Sequence, residues 1–322
     1  MKTKKKPKSR SKTVYHVRNW SEYDQALVNR HSLTIWVAED IRKSWKYDGP
    51  KQRGGQYEYS DQAIESMLTL KEVFQLTNRG VEGFVRSLFE LMEIDLSVPD
   101  HTTLSTRGKH LQIELPRRVK GRINIVMDSS GLKMYGEGEW KVRKHGWGKH
   151  RSWFKFHLMI EPVSGEIQAV DLTGADGNDT KSVEPMLAQL DPALEIDTAI
   201  GDGGYDTWEV YDVIKARAPD AKIIIPPKKN AKIKQHGNCK QSPLQRDETL
   251  RAIRKSSRKA WKKQSGYHQR SLAETAMFRF KTIFDDHLST RSQEAQTVQV
   301  RIRCKALNQM THLGMPQSYP VP

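Results

Sequence analysis

The sequence predicts an α/β protein, with a mixed-sheet core preceded by a small helical region. Three observations lead there. Two largely apolar runs rich in β-branched residues, 123–127 and 196–200, end in Asp128-Ser-Ser-Gly131 and Gly201-Asp202-Gly-Gly-Tyr-Asp206. Each reads as a buried strand that delivers a carboxylate to the rim of a sheet, where ligands of α/β proteins tend to sit. Residues 60–111 carry apolar side chains at helical spacing, and residues 266–281 read as one more amphipathic helix.

The chain has 322 residues, enough for two or three domains. Its formal net charge is +16 and its pI about 9.7, an excess that favours a polyanionic partner, nucleic acid first. No apolar segment is long enough to span a bilayer, and no apolar stretch follows the basic N-terminus as in a signal peptide. Cys239 and Cys304 lie far apart, which suggests a reducing cytosol and neither a disulfide framework nor a zinc finger.

Residues 1–18 form a basic arm whose like charges repel, so it is expected to be disordered or to touch DNA. From 19 to 116 we expect a helical DNA-binding region. Ser21 with Asp24 marks a helix start, 33–37 reads as a short extended run, and the Gly-rich stretch 48–56 as a linker. Ala63, Ile64, Met67, Leu68 and Leu70 predict one helix; Val81, Phe84, Val85, Leu88, Leu91 and Met92 predict the next. Asp100 caps a short helix expected to expose Thr102, Thr103, Ser105 and Arg107, which is either a helix-turn-helix reader or plain helical packing.

Residues 117–290 are expected to form the catalytic domain. After the Asp128 strand comes a basic and aromatic stretch that includes Trp140, Lys141, Arg143, Lys144, Trp147, Arg151 and Trp153. Interleaving of this kind suits phosphate contact and base stacking. Phe154, Phe156, Leu158 and Ile160 alternate with Lys155 and His157, predicting a strand with one buried and one basic face; residues 167–172 return as a second strand. Asp179-Thr180 is read as the cap of a helix through Leu190, and Asp206 as the cap of the helix after Asp202. Residues 221–225 form another strand, 228–263 an exposed basic segment, and 291–322 a C-terminal tail.

The helix at 266–281 supplies a third carboxylate. At roughly 100° per residue Tyr267, Arg270, Glu274 and Lys281 share one stripe. Leu272, Ala273, Ala276, Phe280 and Ile283 fall on the opposite, core-facing side. Taken singly, Asp128 and Asp202 could be turn formers, and Arg270 with Glu274 an ordinary surface pair. Together, Asp128, Asp202 and Glu274 are hard oxygen donors that suit Mg²⁺ or Mn²⁺. Two such ions serve phosphodiester displacement.

These residues resemble those of bacterial insertion-sequence DDE transposases of the insertion sequence five family. Met127-Asp128-Ser-Ser-Gly-Leu-Lys133 resembles the block around the first acid, Tyr135-Gly-Glu-Gly-Glu-Trp-Lys-Val-Arg-Lys-His-Gly146 the segment after it, and Gly201-Asp202-Gly-Gly-Tyr-Asp206 the second block. Tyr267, Arg270, Glu274 and Lys281 match the tyrosine-arginine-glutamate-lysine signature in spacing; Ser129 stands where threonine is common. The resemblance runs from about Asn19 to near the C-terminus. It implies an RNase H-like core with Asp128, Asp202 and Glu274 holding two Mg²⁺, replaceable by Mn²⁺. Arg270 and Lys281 would contact DNA phosphate, Tyr267 would lie at the cleaved end, and the helical residues would read terminal inverted repeats. It further implies cleavage at transposon ends, joining of the 3′-OH to target DNA, a homo-oligomer on paired ends and a nucleoid-associated, cytoplasmic location. The alternative is a catalytically silent DNA-binding regulator derived from such an enzyme.

Overall fold

The computed structural model describes residues 14–37, 40–51, 53–134, 153–236, 240 and 242–321. Strand β1 (Val14–Val17) is followed by helices α1 (Trp20–Asn29), α2 (Leu33–Trp36), α3 (Ile41–Ser44), α4 (Asp61–Val73), α5 (Asn78–Leu91) and α6 (His101–Arg107). Side-chain oxygens of Ser60, Thr77 and Asp100 accept from backbone N–H groups three residues on, at 3.0, 3.0 and 2.6 Å, and so start α4, α5 and α6. Two local expectations change. Residues 33–36 are helical, because a helical turn buries Trp36 and lets its indole N–H donate to the carbonyl of Arg30 at 2.8 Å. The Gly-rich stretch is an excursion closed by the Lys46–Tyr59 bridge, and Trp45 before it and Tyr59 after it enter one core.

The central six-stranded sheet comprises β2 (Arg122–Met134), β3 (Trp153–Ile160), β4 (Ile167–Gly174), β5 (Glu195–Ile200), β6 (Lys222–Ile224) and, paired to the far end of β2, β7 (His287–Leu288). Its order is β4-β3-β2-β5-β6, with β2 to β4 an antiparallel meander and β5 and β6 parallel to β2. That is an RNase H-like sheet. Helices α7 (Val183–Ala188) and α8 (Trp208–Arg217) lie within this run. After it come α9 (Gln245–Lys255), α10 (Arg258–Gln264), α11 (Ser271–Phe284), β7, α12 (Gln293–Leu313) and β8 (Ser318–Val321).

The strands alternate between two cores. Val126, Leu132, Phe156 and Leu158 pack with α4, α5, α11 and α12. Ile125, Met127, Met159 and Ala199 pack with α7 and α8. The second layer of helices corrects the expectation for β3: His157 and Met159, on its supposedly basic face, are fully buried. The residues before 117 share the first core with the opposite face of the sheet. The basic segment 228–263 is largely helical: Asp247 is fully buried and accepts from the N–H groups of Lys234 and Gln235, and Trp261 is buried.

The C-terminal residues are no tail. Helix α12 is 21 residues long and fully buries Cys304 and Asn308. Its periodicity is masked because polar residues also point inward, each bonded: Asn308 donates to the Ile167 carbonyl at 2.8 Å and accepts from the Ile167 N–H at 2.7 Å. Strand β8 pairs with β1, so residues 14–17 belong to the fold and not to the basic arm. No helix among the described residues is long and apolar enough to cross a membrane.

A buried ion pair ties α12 to α4. Arg303 reaches Glu72 at 2.6 Å, Lys71 reaches it at 3.0 Å, and Gln299 donates to both its carboxylate oxygens. Burial alone would raise the Glu72 carboxyl, but the charges of Arg303 and Lys71 outweigh it and hold the group below its ordinary 4.5. Glu72→Gln would leave Arg303 buried without its counter-charge, so we expect a loss of about 3–5 kcal/mol in urea denaturation at pH 7. The contribution is present above pH 4.5 and is lost as pH falls through the lower folded value. The gap between wild type and variant should therefore close in acid.

Candidate active site

Asp128 lies in the middle of β2 and not before a turn, since the strand continues to Met134 opposite β3. The rim is made on the other side of β2. Strand β5 makes its last pairing at Val126, and β7 joins only at Lys133. Asp128 therefore stands where the sheet opens. Its Oδ1 accepts from the Ser129 N–H at 3.0 Å.

Asp202 follows the end of β5 by two residues and accepts from the Gly204 N–H at 2.8 Å, capping the short 3₁₀ turn Gly203–Tyr205. A Cβ at Gly204 would fall 2.9 Å from that carboxylate oxygen, so a side chain there would displace Asp202. The same point lies 3.5 Å from Asp179 Oδ2, placing a fourth carboxylate nearby that sequence reasoning missed. Asp179 is itself an ion-pair partner of Lys155 at 2.8 Å, and Asn178, not Asp179, caps the turn that precedes α7. Nor does Asp206 cap α8; Thr207 does. Asp206 is instead buried in a bidentate pair with Arg246, at 2.6 and 2.9 Å, and accepts from the Lys228 N–H at 2.7 Å.

The third acid arrives on α11. Gly266 is left-handed, with φ of 82°, a conformation that side chains resist, and it starts a 3₁₀ turn over Tyr267–Arg270. The four-residue signature thus straddles this turn and α11, which shifts the helix phase. Ala273, Ala276 and Phe280 are buried, whereas Leu272, expected beside them, is 39% exposed. Phe280 packs on Phe156 of β3 with ring centroids 4.7 Å apart, fixing α11 against the sheet.

Arg270 lies between two of the acids. Its Nη1 is 3.4 Å from Asp128 Oδ2, and its Nη2 contacts Glu274 Oε1. Lys281 donates to Ser130 Oγ at 2.7 Å. Burial raises the Asp128 carboxyl; the Ser129 N–H and Arg270 pull it down, while Asp202 and Glu274 push it up, and the net shift is upward. Burial also raises the Tyr267 phenol and lowers the Lys281 ammonium. The charges of Asp202 and Glu274 are thus felt at Asp128, and all three are hard oxygen donors, although their oxygens do not all lie within 4.8 Å of one another.

Among the described residues, the ligand atoms that do converge within 4.8 Å are those of Asp285, Asp286 and His287, a cluster at the start of β7. Asp286 is already paired to Lys133 at 2.8 Å. The run of two aspartates and a histidine was its only signal in the sequence.

The DNA-contact expectations fare unevenly. Lys141, Arg143, Lys144 and Arg151 lie outside the described residues. Thr102 is exposed and donates to Asp100 at 2.8 Å; Thr103 is half-buried. Arg107 is buried, contrary to expectation. It donates to the Tyr59 carbonyl, pairs with Asp61 and lies 3.6 Å over the Tyr57 ring, closing the 46–59 excursion.

Residues 120–309, more than half of the chain, match the family model described as "Transposase DDE domain". Residues 28–137 match a second model of the same description. The chain therefore belongs to the DDE transposase family. Among solved structures it is similar to a chain titled "Drosophila P element transposase strand transfer complex", at 13% identity and a TM-score of 0.31. That match covers 58% of this chain and 46% of the other, a likeness too loose to add to the fold assignment.

The Asp206–Arg246 pair holds the residues that follow Asp202. Asp206→Asn should cost about 3–5 kcal/mol in chemical denaturation, because it strands a buried guanidinium. Arg246→Met together with Asp206→Leu should recover much of that loss.

Proposed function

We propose that the chain is a DNA transposase of the insertion sequence five family, which cleaves the ends of its element and joins the 3′-OH to target DNA. The observation that carries this is the position of Arg270 between Asp128 and Glu274 at the opening of the sheet. Asp128, Asp202 and Glu274 would hold Mg²⁺, or Mn²⁺ in its place, with two ions expected. When bound, such ions make a water or hydroxyl nucleophilic and stabilise the leaving oxygen of a phosphodiester.

The chain's own residues prepare the site. Arg270 can pass its donors from the carboxylates to a phosphate, since a guanidinium fits both. Lys281, already aimed at the β2 edge through Ser130, adds a second cation for the strand. Tyr267 stands one 3₁₀ turn before Arg270, where its ring can orient the cleaved end. The helical residues 19–116, with Thr102 and Thr103, and the basic stretch holding Lys141, Arg143, Lys144 and Arg151 would bind double-stranded DNA at the terminal inverted repeats. Paired ends would require a homo-oligomer.

Glu274→Gln is expected to retain binding to a duplex bearing the element's end and to lose cleavage in Mg²⁺, read by gel shift and by labelled-strand cleavage in parallel. A variant that still cuts would remove Glu274 from the acid set. Wild type that binds the end without cutting would favour the silent regulator.

A further inference from the structure

Two arginines away from the acids lack the partners that buried arginines normally have. Arg30 closes α1 and is only 8% exposed. Its Nε and Nη2 are buried and have no hydrogen-bond partner. Those two nitrogens form the side-on edge of the guanidinium, the edge that grips an oxyanion with two parallel hydrogen bonds. The group stands over the Tyr23 ring at 5.7 Å, which supports its flat face and leaves that edge free. Arg279, on α11, is half-buried and donates to Thr311 of α12 at 3.1 Å. The end of α12 that holds Thr311 packs on α1, where a Cβ at Gly314 would fall 3.0 Å from Ala26 Cβ, and this brings Arg279 toward Arg30; burial first, and then the charge of Arg30, push the Arg279 guanidinium down to about 10. Among the described residues neither makes an ion pair with a carboxylate.

Arginine is rarely buried without a partner, because an uncompensated charge out of water is costly. Two of them side by side add repulsion to that cost. An anion between them removes both penalties. Guanidinium donors from α1 and α11 come from two separate elements, which suits a tetrahedral oxyanion better than a flat carboxylate; the Thr311 hydroxyl gives its proton to the Leu307 carbonyl and serves only to hold Arg279. Half-buried Arg279 gives it access from solvent.

We propose that Arg30 and Arg279 form a binding site for one phosphate-type oxyanion. That oxyanion is either free phosphate or a phosphate of the DNA backbone, the latter source resting on the transposase reading. Arg279 lies five residues beyond Glu274 on α11, about 7.5 Å along the helix axis. It also lies about 140° around the helix from Glu274, so a DNA strand that fills the site would have to reach round α11 from the face that carries the acid.

The test is thermal unfolding of the full chain at fixed ionic strength, with inorganic phosphate replacing chloride, for wild type, Arg30→Met and Arg279→Met. Wild type should gain about 2–4 °C in phosphate, and each variant should lose that gain. Arg30→Met should be no less stable than wild type in chloride, since it removes an unpaired buried charge. Titration calorimetry of wild type with inorganic phosphate, expected to give one site per chain, stands independently of whether the variants fold. A phosphate gain that persists in both variants, or no phosphate binding by wild type, overturns the site. For the source, duplex binding is measured across salt concentrations. If a DNA phosphate fills the site, the slope of log affinity against log salt falls by about one in each variant. An unchanged slope with the phosphate gain intact assigns the site to free phosphate. Neither stability measurement needs DNA or cleavage, so the site can fail while the transposase reading stands, and the reverse.

Discussion

Carboxylates brought to one place repel, and the contact of Arg270 with both Asp128 and Glu274 is what makes their meeting tolerable. The rest of the face that carries them is arranged around that contact. The sheet has to open beside Asp128, and it does so because β5 stops at Val126 while β7 waits until Lys133. Helix α11 has to lie across the opening, and Phe280 on Phe156 holds it there. Gly266 has to be left-handed so that the 3₁₀ turn before α11 points Arg270 inward. Glu274 remains half exposed, so its pairing adds little stability; its importance is in charge and position.

Behind the face, buried ion pairs fix the scaffold around the acids. Arg246 with Asp206 secures the loop after Asp202, and Arg303 with Glu72 joins α12 to α4. Because α4, α5, α11 and α12 share one core with the sheet, the residues before 117 are coupled to the catalytic face through packing. Movement of the helical region would therefore be felt at α11 without a separate linker to transmit it.

Much of this was legible in the sequence where local chemistry and global fold agree. Strands β2 and β5 showed as apolar runs ending in carboxylate and glycine, and α4 and α5 as clean helical periods. What was hidden depends on long-range partners. Arg107 looked like an exposed DNA contact, yet Tyr57, Tyr59 and Asp61 draw it inward, and nothing in its own neighbourhood announces that. Asp206 looked like a cap until Arg246, forty residues on, supplied a stronger partner. Helix α12 reads as a tail in the sequence because Gln299, Arg303 and Asn308 interrupt its apolar stripe, and their buried partners Glu72 and Ile167 lie far away along the chain. Asp128 was expected at a strand end; the opening comes from its neighbour, and a strand's own residues do not reveal where its neighbour stops.

Asp128 is the acid on which the proposed cleavage of DNA at the element's end depends. The most direct test is cleavage of a labelled duplex carrying that end in Mg²⁺, comparing wild type with Asp128→Asn. The account predicts a cut at the end by wild type and none by the variant, with both binding the duplex equally. Equal cutting by the two proteins would contradict it.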